Sequence, residues 1–370
     1  MPGPHPIRRL GAESPGGLQL PAAIPTAGTM YAPRGVWTDG TRLVVSDTGN
    51  QRVLIWHSMP TADGQDADVV LGQPDFASEG PQASGAGPAR GFHLPTGVDV
   101  IDGNLVVADG WNHRILVFDG VPTESYAAPV SVIGQPDDVS VEANAGGEPT
   151  LTSFYWPFGF AVVGDSFWVA DTGNRRVLGW HGPRVPEPGR PADMLLGQDA
   201  GDEREDNRGG QPTHVSFRWP HAISGDAETL YIADAGDHRV LGWSPHPTGD
   251  DDATLVLGQA DFTSAEEFKN RPQGAQRMRF PYGVAVSEGR LAVGDTSNNR
   301  ILIWDRLPRS GAAIPADHVL AQPNFDTNGE NRWDVVADDS LCWPYGICLR
   351  SDLLAIADSG NNRVMLWRLA

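Results

Sequence analysis

The sequence lacks the features that usually stabilise a secreted scaffold or carry a chain through a membrane. Its 370 residues include only two cysteines, Cys342 and Cys348, too few for a disulfide framework or a paired Cys-x-x-Cys metal site. No apolar run approaches the ~18 residues of a membrane span, and no apolar leader follows Met1. We therefore expect a cytoplasmic protein with no membrane partner.

Positive charge is also scarce. The chain has 27 Lys and Arg against 47 Asp and Glu, for a net charge of −20. A field of this sign repels phosphate backbones, so nucleic acid is excluded as a general partner. Turn-forming residues are abundant instead, with 44 Gly and 31 Pro, and they interrupt a composition that is 40% hydrophobic. This balance predicts an all-β protein built from many short strands.

A motif of the form Asp-x-Gly-Asn-x-Arg recurs through the chain, with the Gly replaced in two copies and the Asn in one. Its six copies begin at Asp47, Asp109, Asp171, Asp234, Asp295 and Asp358, and subtraction gives spacings of 62, 62, 63, 61 and 63 residues. Each copy lies between β-branched runs such as "LVVSD" and "RVLIW", which predicts two strands joined by a turn. A period this even indicates units arranged in a stack or a ring.

Each unit contains two further elements. A Pro-x-Gly-like element such as "LPTGV" precedes each motif, and an apolar run such as "VVLGQPDF" follows five of them. Four strands in each of six units predict a six-bladed β-propeller of four-stranded antiparallel blades. We expect a single domain over 1–370, with blades at about 31–76, 93–138, 155–199, 218–262, 279–325, and 342–370 plus 7–12.

The sixth unit lacks its own fourth strand. The chain ends at Ala370 soon after the third run, whereas the stretch from Ile7 to Gly11, "IRRLG", resembles the missing strand. We expect this N-terminal strand to complete the last blade and close the ring. Closure would remove an unpaired sheet edge.

The repeated residues are interpreted as architecture, because a catalytic set is expected once in a chain. We expect the motif aspartates to accept hydrogen bonds from turn amides, and the arginines five residues later to pair with carboxylates or carbonyls. The glutamines of the fourth strand are assigned to loop fixing, and the tryptophans before proline to wedges between blades. These are Gln73, Gln135, Gln198, Gln259 and Gln322, and Trp156, Trp219 and Trp343.

Function is expected where the units differ. The residue after each proline is predicted to surround the axial funnel, and this post-proline ring consists of Arg34, Thr96, Phe158, His221, Tyr282 and Tyr345. The pre-proline ring, two residues before each proline, consists of Tyr31, His93, Tyr155, Arg218, Arg279 and Cys342. Imidazole and thiolate bind zinc or copper, and Tyr and Arg stabilise anions, so the rings predict a site at the funnel mouth. The alternative places one ring in the blade interfaces as packing residues.

The repeats resemble those of the NHL family of six-bladed β-propellers over essentially the whole chain. This resemblance implies the fold but no single function, since such propellers serve enzymes, RNA binders and interaction scaffolds. The stretch "WPHAI" is also similar to the Pro-His motifs that place zinc-ligand histidines near the axis in peptidyl-hydroxyglycine lyases, which makes His221 the counterpart. The other five units have no histidine there, so a three-histidine zinc site is not reproduced.

Two functional hypotheses follow from this reading. The first is a small-molecule enzyme with its active site at the axial funnel, a metal-dependent lyase or hydrolase whose cofactor is one zinc or copper ion. Its candidate metal ligands are His93, His221 and Cys342; its candidate catalytic groups are Arg34, Tyr282 and Tyr345; its candidate ligand-binding residues are Tyr31, Tyr155, Phe158, Arg218 and Arg279.

The second hypothesis is a non-catalytic propeller that binds a peptide or protein partner on its loop-rich face. The connections from the fourth strand of one unit to the next Pro-x-Gly element are long, for example 77–92, 199–217 and 326–340. Connections of more than ~12 residues in a compact domain are usually functional or disordered. Several of them on one face would form a wall around the funnel mouth.

Overall fold

Six β-sheets surround a central axis in the computed structural model, which describes residues 3–13 and 23–369. In each sheet the innermost strand begins at or just after the recurring proline, and the following strands pair with it in chain order, outward from the axis. Within each blade the four strands pair antiparallel with their neighbours. The predicted six-bladed propeller is therefore confirmed.

The strands are numbered in chain order. The first is β1 (His5–Gly11). Blade 1 contains β2 (Gly35–Thr38), β3 (Leu43–Asp47), β4 (Arg52–Trp56) and β5 (Val69–Leu71); blade 2 contains β6 (Pro95–Ile101), β7 (Asn104–Asp109), β8 (Arg114–Val117) and β9 (Ser131–Ile133); blade 3 contains β10 (Pro157–Val163), β11 (Ser166–Asp171), β12 (Arg176–His181) and β13 (Met194–Leu196).

Blade 4 contains β14 (Pro220–Gly225), β15 (Leu230–Asp234), β16 (Arg239–Trp243) and β17 (Leu255–Leu257). Blade 5 contains β18 (Pro281–Ser287), β19 (Arg290–Asp295), β20 (Arg300–Trp304) and β22 (His318–Leu320), with β21 (Gly311–Ala312) before its last strand; blade 6 contains β23 (Pro344–Arg350), β24 (Leu353–Asp358) and β25 (Arg363–Arg368).

The helical segments are single turns. Six of them are 3₁₀ turns that contain the motif, at Thr48–Asn50, Gly110–Asn112, Thr172–Asn174, Ala235–Asp237, Thr296–Asn298 and Ser359–Asn361. Four lie in the long connections, at α1 (Pro81–Gly85), Ala143–Gly146, Asp206–Gly209 and Glu330–Trp333. Across the described ranges, none of the helices has the length and apolar character that a membrane crossing requires.

The two ends of the chain meet in blade 6. Strand β1 pairs antiparallel with β25, with Gly11 opposite Arg363 and His5 opposite Arg368. The sheet order is β1-β25-β24-β23, so the N-terminal strand is the outermost strand of the last blade. This is the ring closure that the sequence predicts.

Buried ion pairs hold every hairpin turn. In blade 1, Oδ2 of Asp47 accepts hydrogen bonds from Nε of Arg52 (2.7 Å) and Nδ2 of Asn50 (2.8 Å), while Oδ1 accepts from the backbone N–H of Tyr31 (2.6 Å). The remaining guanidinium N–H groups of Arg52 donate to carbonyls of the connections that enter and leave the blade. All six Arg–Asp pairs are fully buried, at 2.7, 2.9, 2.7, 2.9, 2.7 and 2.6 Å. The structure thus supports the architectural interpretation of the motif.

The recurring glutamines fix the long connections, as predicted. In blade 1, Nε2 of Gln73 donates to the carbonyl of Gly80, seven residues further on (2.8 Å). The equivalent bond recurs in the other four copies, from Gln135, Gln198, Gln259 and Gln322. Each connection is therefore tied down close to the strand that it leaves.

In five of the six units, the residue before the motif arginine links its blade to the next. The side chains of Gln51, Asn299 and Asn362 accept a hydrogen bond from the backbone N–H that precedes the next blade's proline. His113 and His238 accept the same bond at Nδ1, from Trp156 and Phe280. An imidazole nitrogen accepts only when it carries no proton, and burial lowers the pKa of both histidines to about 4, which keeps the acceptor at neutral pH.

Blade 4 departs from this scheme in two ways. The predicted four strands are present, but β21 from the following unit adds a fifth, pairing parallel with β17. The residue before the motif arginine in blade 3 is Arg175, whose side chain has donors only, and it pairs with Asp206 instead. The backbone N–H of Trp219 bonds to Asp234 in its own blade. Both departures concern the edges of blade 4.

Candidate functional site at the propeller axis

Aromatic side chains of the post-proline ring meet at the axis. The ring of His221 lies 4.3 Å from that of Phe158 and 4.4 Å from that of Tyr282, between centroids. Tyr282 stacks on Tyr345 at 4.6 Å, and the guanidinium of Arg34 lies 4.9 Å from the centroid of Tyr345. The structure therefore brings five of the six post-proline residues together as one axial cluster.

The sixth post-proline residue does not join the cluster. Thr96 is fully buried, and its hydroxyl donates to the carbonyl of Phe158 in the next blade (2.7 Å). It acts as a link between blades 2 and 3, so the ring position alone does not place a side chain in the site.

Glycines let the inner strands come close enough to assemble the axial cluster. A Cβ at Gly283 would lie 2.5 Å from the carbonyl oxygen of Tyr345 in the next blade, a distance that real Cβ atoms do not reach. The carbonyls of five post-proline residues pack in this way against the preceding blade's glycine, as that of Arg34 does against Gly346; blade 4 has Ala222 at this position. This close approach directs the post-proline side chains toward one another.

Burial decides the protonation of the axial cluster. His221 is 2% exposed, and its Nδ1 lies 2.8 Å from the carbonyl oxygen of Trp219, to which the N–H tautomer donates. Burial lowers its pKa to about 3, so the ring is neutral at physiological pH and Nε2 is left as an acceptor. Burial also raises the pKa of Tyr282 well above its ordinary value, which keeps it a phenol. Arg34 is thus the permanent charge of the axial cluster.

Two cavities follow one another along the axis. The upper axial cavity adjoins the axial cluster and has a volume of about 100 Å³. The lower axial cavity, toward the far ends of the inner strands, has about 210 Å³. One apolar side chain from each blade borders both cavities and separates their polar ends: Val36, Val98, Phe160, Ile223, Val284 and Ile347.

The pre-proline ring lies away from the axis. Its members cover the hairpin turn of their own blade: Tyr31 packs against Gly49, Tyr155 against Gly173, Arg218 against Gly236 and Cys342 against Gly360. All six backbone N–H groups bond to the motif aspartates, including that of Arg279, so the position is part of the turn's support. The two rings therefore form separate circles.

The candidate metal ligands are not assembled. His221 belongs to the axial cluster, whereas the ring of His93 lies beside Trp111, 6.5 Å between centroids, and Cys342 is buried against Gly360. Among residues 3–13 and 23–369 no group of three or more His, Cys, Asp and Glu side chains could hold a metal ion. The residues do not fit a zinc or copper site. His221 follows its proline and lies at the axis, whereas His93 and Cys342 precede their prolines and cover hairpin turns.

Aromatic side chains also lie around the mouth. Trp343 is 48% exposed and Trp111 is 40% exposed, and Trp156, Trp219 and Phe280 are half-buried. We call these five residues the mouth aromatics. Trp111 and Trp156 meet edge to face at 5.6 Å, and Trp219 stacks on Phe280 at 6.2 Å.

The wedge interpretation of the tryptophans before proline is incomplete: Trp156 and Trp219 do contact aromatic side chains of neighbouring blades, but they also contribute to the surface at the mouth. Trp156 and Trp343 have φ values of 53° and 50°, in the left-handed region. Strand alternation does not predict this conformation. Their position next to the post-proline ring in three of six units was the available signal for a role at the mouth.

Comparisons with known proteins agree with this architecture. The family model described as NHL repeat matches residues 92–118. The predicted resemblance is thereby confirmed: the chain is a six-bladed β-propeller in which residues 92–118 match the NHL repeat model.

Two similar sequences are both called NHL repeat-containing protein 2. The protein from Gallus gallus is 26% identical over 357 residues, and that from Homo sapiens is 24% identical over 353. Each match covers 89% of this chain and 45% of the relative, so the chain spans less than half the length of the curated relatives it matches.

Similar solved structures show the fold alone. A structural genomics protein of unknown function from Bacteroides thetaiotaomicron has a TM-score of 0.50 at 11% identity, covering 99% of this chain and 75% of that chain. Virginiamycin B lyase from Staphylococcus aureus has a TM-score of 0.46 at 10% identity, covering 94% and 98%. Neither likeness carries an activity to this chain.

Proposed function

We propose that this propeller is a non-catalytic binding module that holds a peptide segment of a partner protein at its loop-rich mouth. The observation that carries the proposal is the set of mouth aromatics. One of them, Trp156, adjoins the axial cluster, since its ring lies 5.8 Å from that of His221 and 6.1 Å from that of Phe158. Trp and Tyr are enriched among the few residues that carry most of the binding energy in protein interfaces.

The surroundings of the mouth aromatics fit the same role. Charged side chains lie around them: Arg218 is 3.6 Å from Asp206, Arg279 pairs with Glu267, and Glu330 accepts from Nε1 of Trp343 (3.1 Å). An apolar centre inside a polar rim is the usual composition of a protein interface. A peptide could place an apolar side chain over the axial cluster while its backbone bonds to the rim.

The size of the upper axial cavity argues against a larger small-molecule substrate. Sites for drug-sized ligands have volumes of roughly 300–1,000 Å³. The upper axial cavity has about 100 Å³ and lies next to packed rings. The exposed surface at the mouth is therefore the better candidate for binding.

A small-molecule enzyme at the axis is the second candidate. The observation that favours it is the convergence of Arg34, His221, Tyr282 and Tyr345. Neutral His221 could take a proton at Nε2, and Arg34 could offset negative charge on a small substrate. In this candidate the pre-proline residues Tyr31, Tyr155, Arg218 and Arg279 would not touch the reacting atoms. The candidate uses no metal, since the metal-ligand set does not assemble.

The test is selection from a phage-displayed library of random linear peptides, followed by titration of the selected peptides. We expect Trp156→Ala and Trp343→Ala each to weaken binding by roughly tenfold or more. Trp333→Ala is the matched control, because Trp333 is 78% exposed but is not one of the mouth aromatics. Equal affinity in all three variants, or no selected peptide, would contradict the proposal. A His221→Gln variant that binds normally would separate binding from any axial chemistry.

A further inference from the structure

The lower axial cavity has a different character from the mouth. Its lining includes an acidic, a basic and a hydroxyl side chain, Asp99, Arg350 and Ser224, together with the indole of Trp37. None of these residues belongs to the post-proline or pre-proline ring. The apolar ring of six side chains lies between this cavity and the axial cluster, so a ligand here would be independent of one at the mouth.

We propose that the lower axial cavity binds a small zwitterion with an ammonium and a carboxylate group, such as a free α-amino acid. The ammonium would bind Asp99 and the carboxylate would bind Arg350.

The carboxylate of Asp99 is suited to bind a cationic group. It lies on β6 in blade 2, and its Oδ1 accepts the N–H of the next residue, Val100, at 2.7 Å. Nε1 of Trp37 lies near the carboxylate but makes no full hydrogen bond. Burial raises the pKa of Asp99 to about 6, and the charge of Arg350 only partly opposes that shift. An ammonium ion in the cavity would supply the charge and donors that this carboxylate lacks.

Arg350 provides the opposite charge at the open end of the cavity. It is the last residue of β23 in blade 6, its side chain is exposed, and its Nε donates to the carbonyl of Thr38 (3.1 Å). That bond uses Nε of the guanidinium and leaves its two terminal nitrogens for other acceptors. A guanidinium with both terminal nitrogens available binds a carboxylate through two parallel hydrogen bonds.

The two charges of the lower axial cavity are not paired with each other. Asp99 and Arg350 form no ion pair among the described residues, so their nitrogen and oxygen atoms are more than 4.0 Å apart. The arginine still affects the pKa of the aspartate, so the two charges share one environment. A molecule that carries an ammonium and a carboxylate group on the same carbon atom can bind both partners at once. A plain amine or a plain carboxylate would satisfy one partner only.

Polar groups and size fit a small ligand. The hydroxyl of Ser224 accepts the N–H of Val286 (3.0 Å), and its own proton can still be donated to a ligand. The inner edges of the six innermost strands also face the axis, and an unpaired strand edge presents N–H and C=O groups. A volume of about 210 Å³ is below that of pockets for drug-sized molecules, roughly 300–1,000 Å³, and suits a smaller metabolite.

The experiment is calorimetric titration of the full chain with each of the common amino acids, and with ethylamine and acetate as single-charge probes. We expect at least one amino acid to bind saturably at millimolar concentration or below, and more tightly than either probe. Asp99→Asn and Arg350→Gln should each weaken its binding by roughly tenfold or more, because each removes a charged hydrogen bond.

Asp102→Asn is the matched control, since Asp102 lies beyond the end of the same strand and its carboxylate is 50% exposed. It should leave the affinity unchanged, as should Trp156→Ala at the mouth. Circular dichroism of Asp99→Asn and Arg350→Gln would confirm that both variants are folded. The proposal is overturned if no amino acid binds, if ethylamine or acetate binds as tightly as the amino acid, or if both folded variants retain full affinity.

Discussion

Blade 4 has the same buried ion pair in its hairpin turn as the other five blades, but it differs from them at the axis. The buried pair of Asp234 and Arg239 in blade 4, at 2.9 Å, is equivalent to the pairs of the other blades. At the axis, however, Ala222 stands where the other inner strands have glycine, and the residue before it is His221, the imidazole of the axial cluster. Blade 4 thus keeps the Asp–Arg pair of the hairpin turn, whereas the glycine of its inner strand is replaced by alanine.

The outer part of blade 4 also carries one substitution within the motif. Asp237 replaces the motif asparagine, which in blade 1 donates from Nδ2 of Asn50 to the motif aspartate. Asp237 is buried, lies 3.5 Å from Arg239, and has no hydrogen-bond partner for Oδ2 among the described residues.

The largest effect is expected at the shared ion pair. Arg176→Met in blade 3 and Arg239→Met in blade 4 each leave a buried carboxylate without its cation, which destabilises a protein by about 3–5 kcal/mol. Equal losses of unfolding free energy in the two variants, measured by urea unfolding, would show that blade 4 depends on its ion pair as blade 3 does.

The control for this comparison is Arg368→Met. The pair of Arg368 with Asp352 is about half exposed, and such surface pairs contribute about 0–1 kcal/mol. A loss at Arg239 as small as the loss at Arg368 would contradict the shared role of the motif.

An intermediate effect is expected at the inner strands. Gly283→Ala would place a Cβ 2.5 Å from the carbonyl oxygen of Tyr345, and overpacking of this kind costs about 1–3 kcal/mol. Ala222→Gly in blade 4 should cost only about 0.5–1 kcal/mol, from the added freedom of the unfolded chain. Urea unfolding of both variants measures the difference, and a greater loss at Ala222 than at Gly283 would reverse the comparison.

The smallest effect is expected at Asp237. Burial, with the nearby charge of Asp234, raises the pKa of Asp237 to about 7, so between about pH 4 and pH 7 the folded state holds a proton that the unfolded state has released. Its contribution to stability is therefore lost as the pH rises through that window. Asp237→Asn restores the usual N–H donor and removes the titratable group. It should stabilise the protein at pH 8 by about 1 kcal/mol.

Thermal unfolding between pH 5 and pH 8 measures this last prediction. The variant should show a melting temperature that falls less with rising pH than that of the parent. Profiles that remain parallel across the range would show that Asp237 does not titrate in the folded state.

The site was predicted less completely than the fold. The post-proline ring was expected at the axis, and five of its six members meet there, because they follow a proline that starts each inner strand. The pre-proline ring was expected at the same mouth, but it supports the hairpins, since its backbone N–H groups bond to the motif aspartates. Asp99 and Arg350 were not singled out, because they occupy ordinary strand positions in blades 2 and 6.

The sequence by itself determined the number of blades, the hairpin of each blade and the residues that hold it. These features depend on interactions within one unit, where the Asp and Arg of a motif are five residues apart, and a period of about 62 residues repeats them. Only the tertiary structure decided which varied side chains meet. Their proximity depends on how closely neighbouring blades approach and on left-handed residues before the prolines, and those are properties of the closed ring.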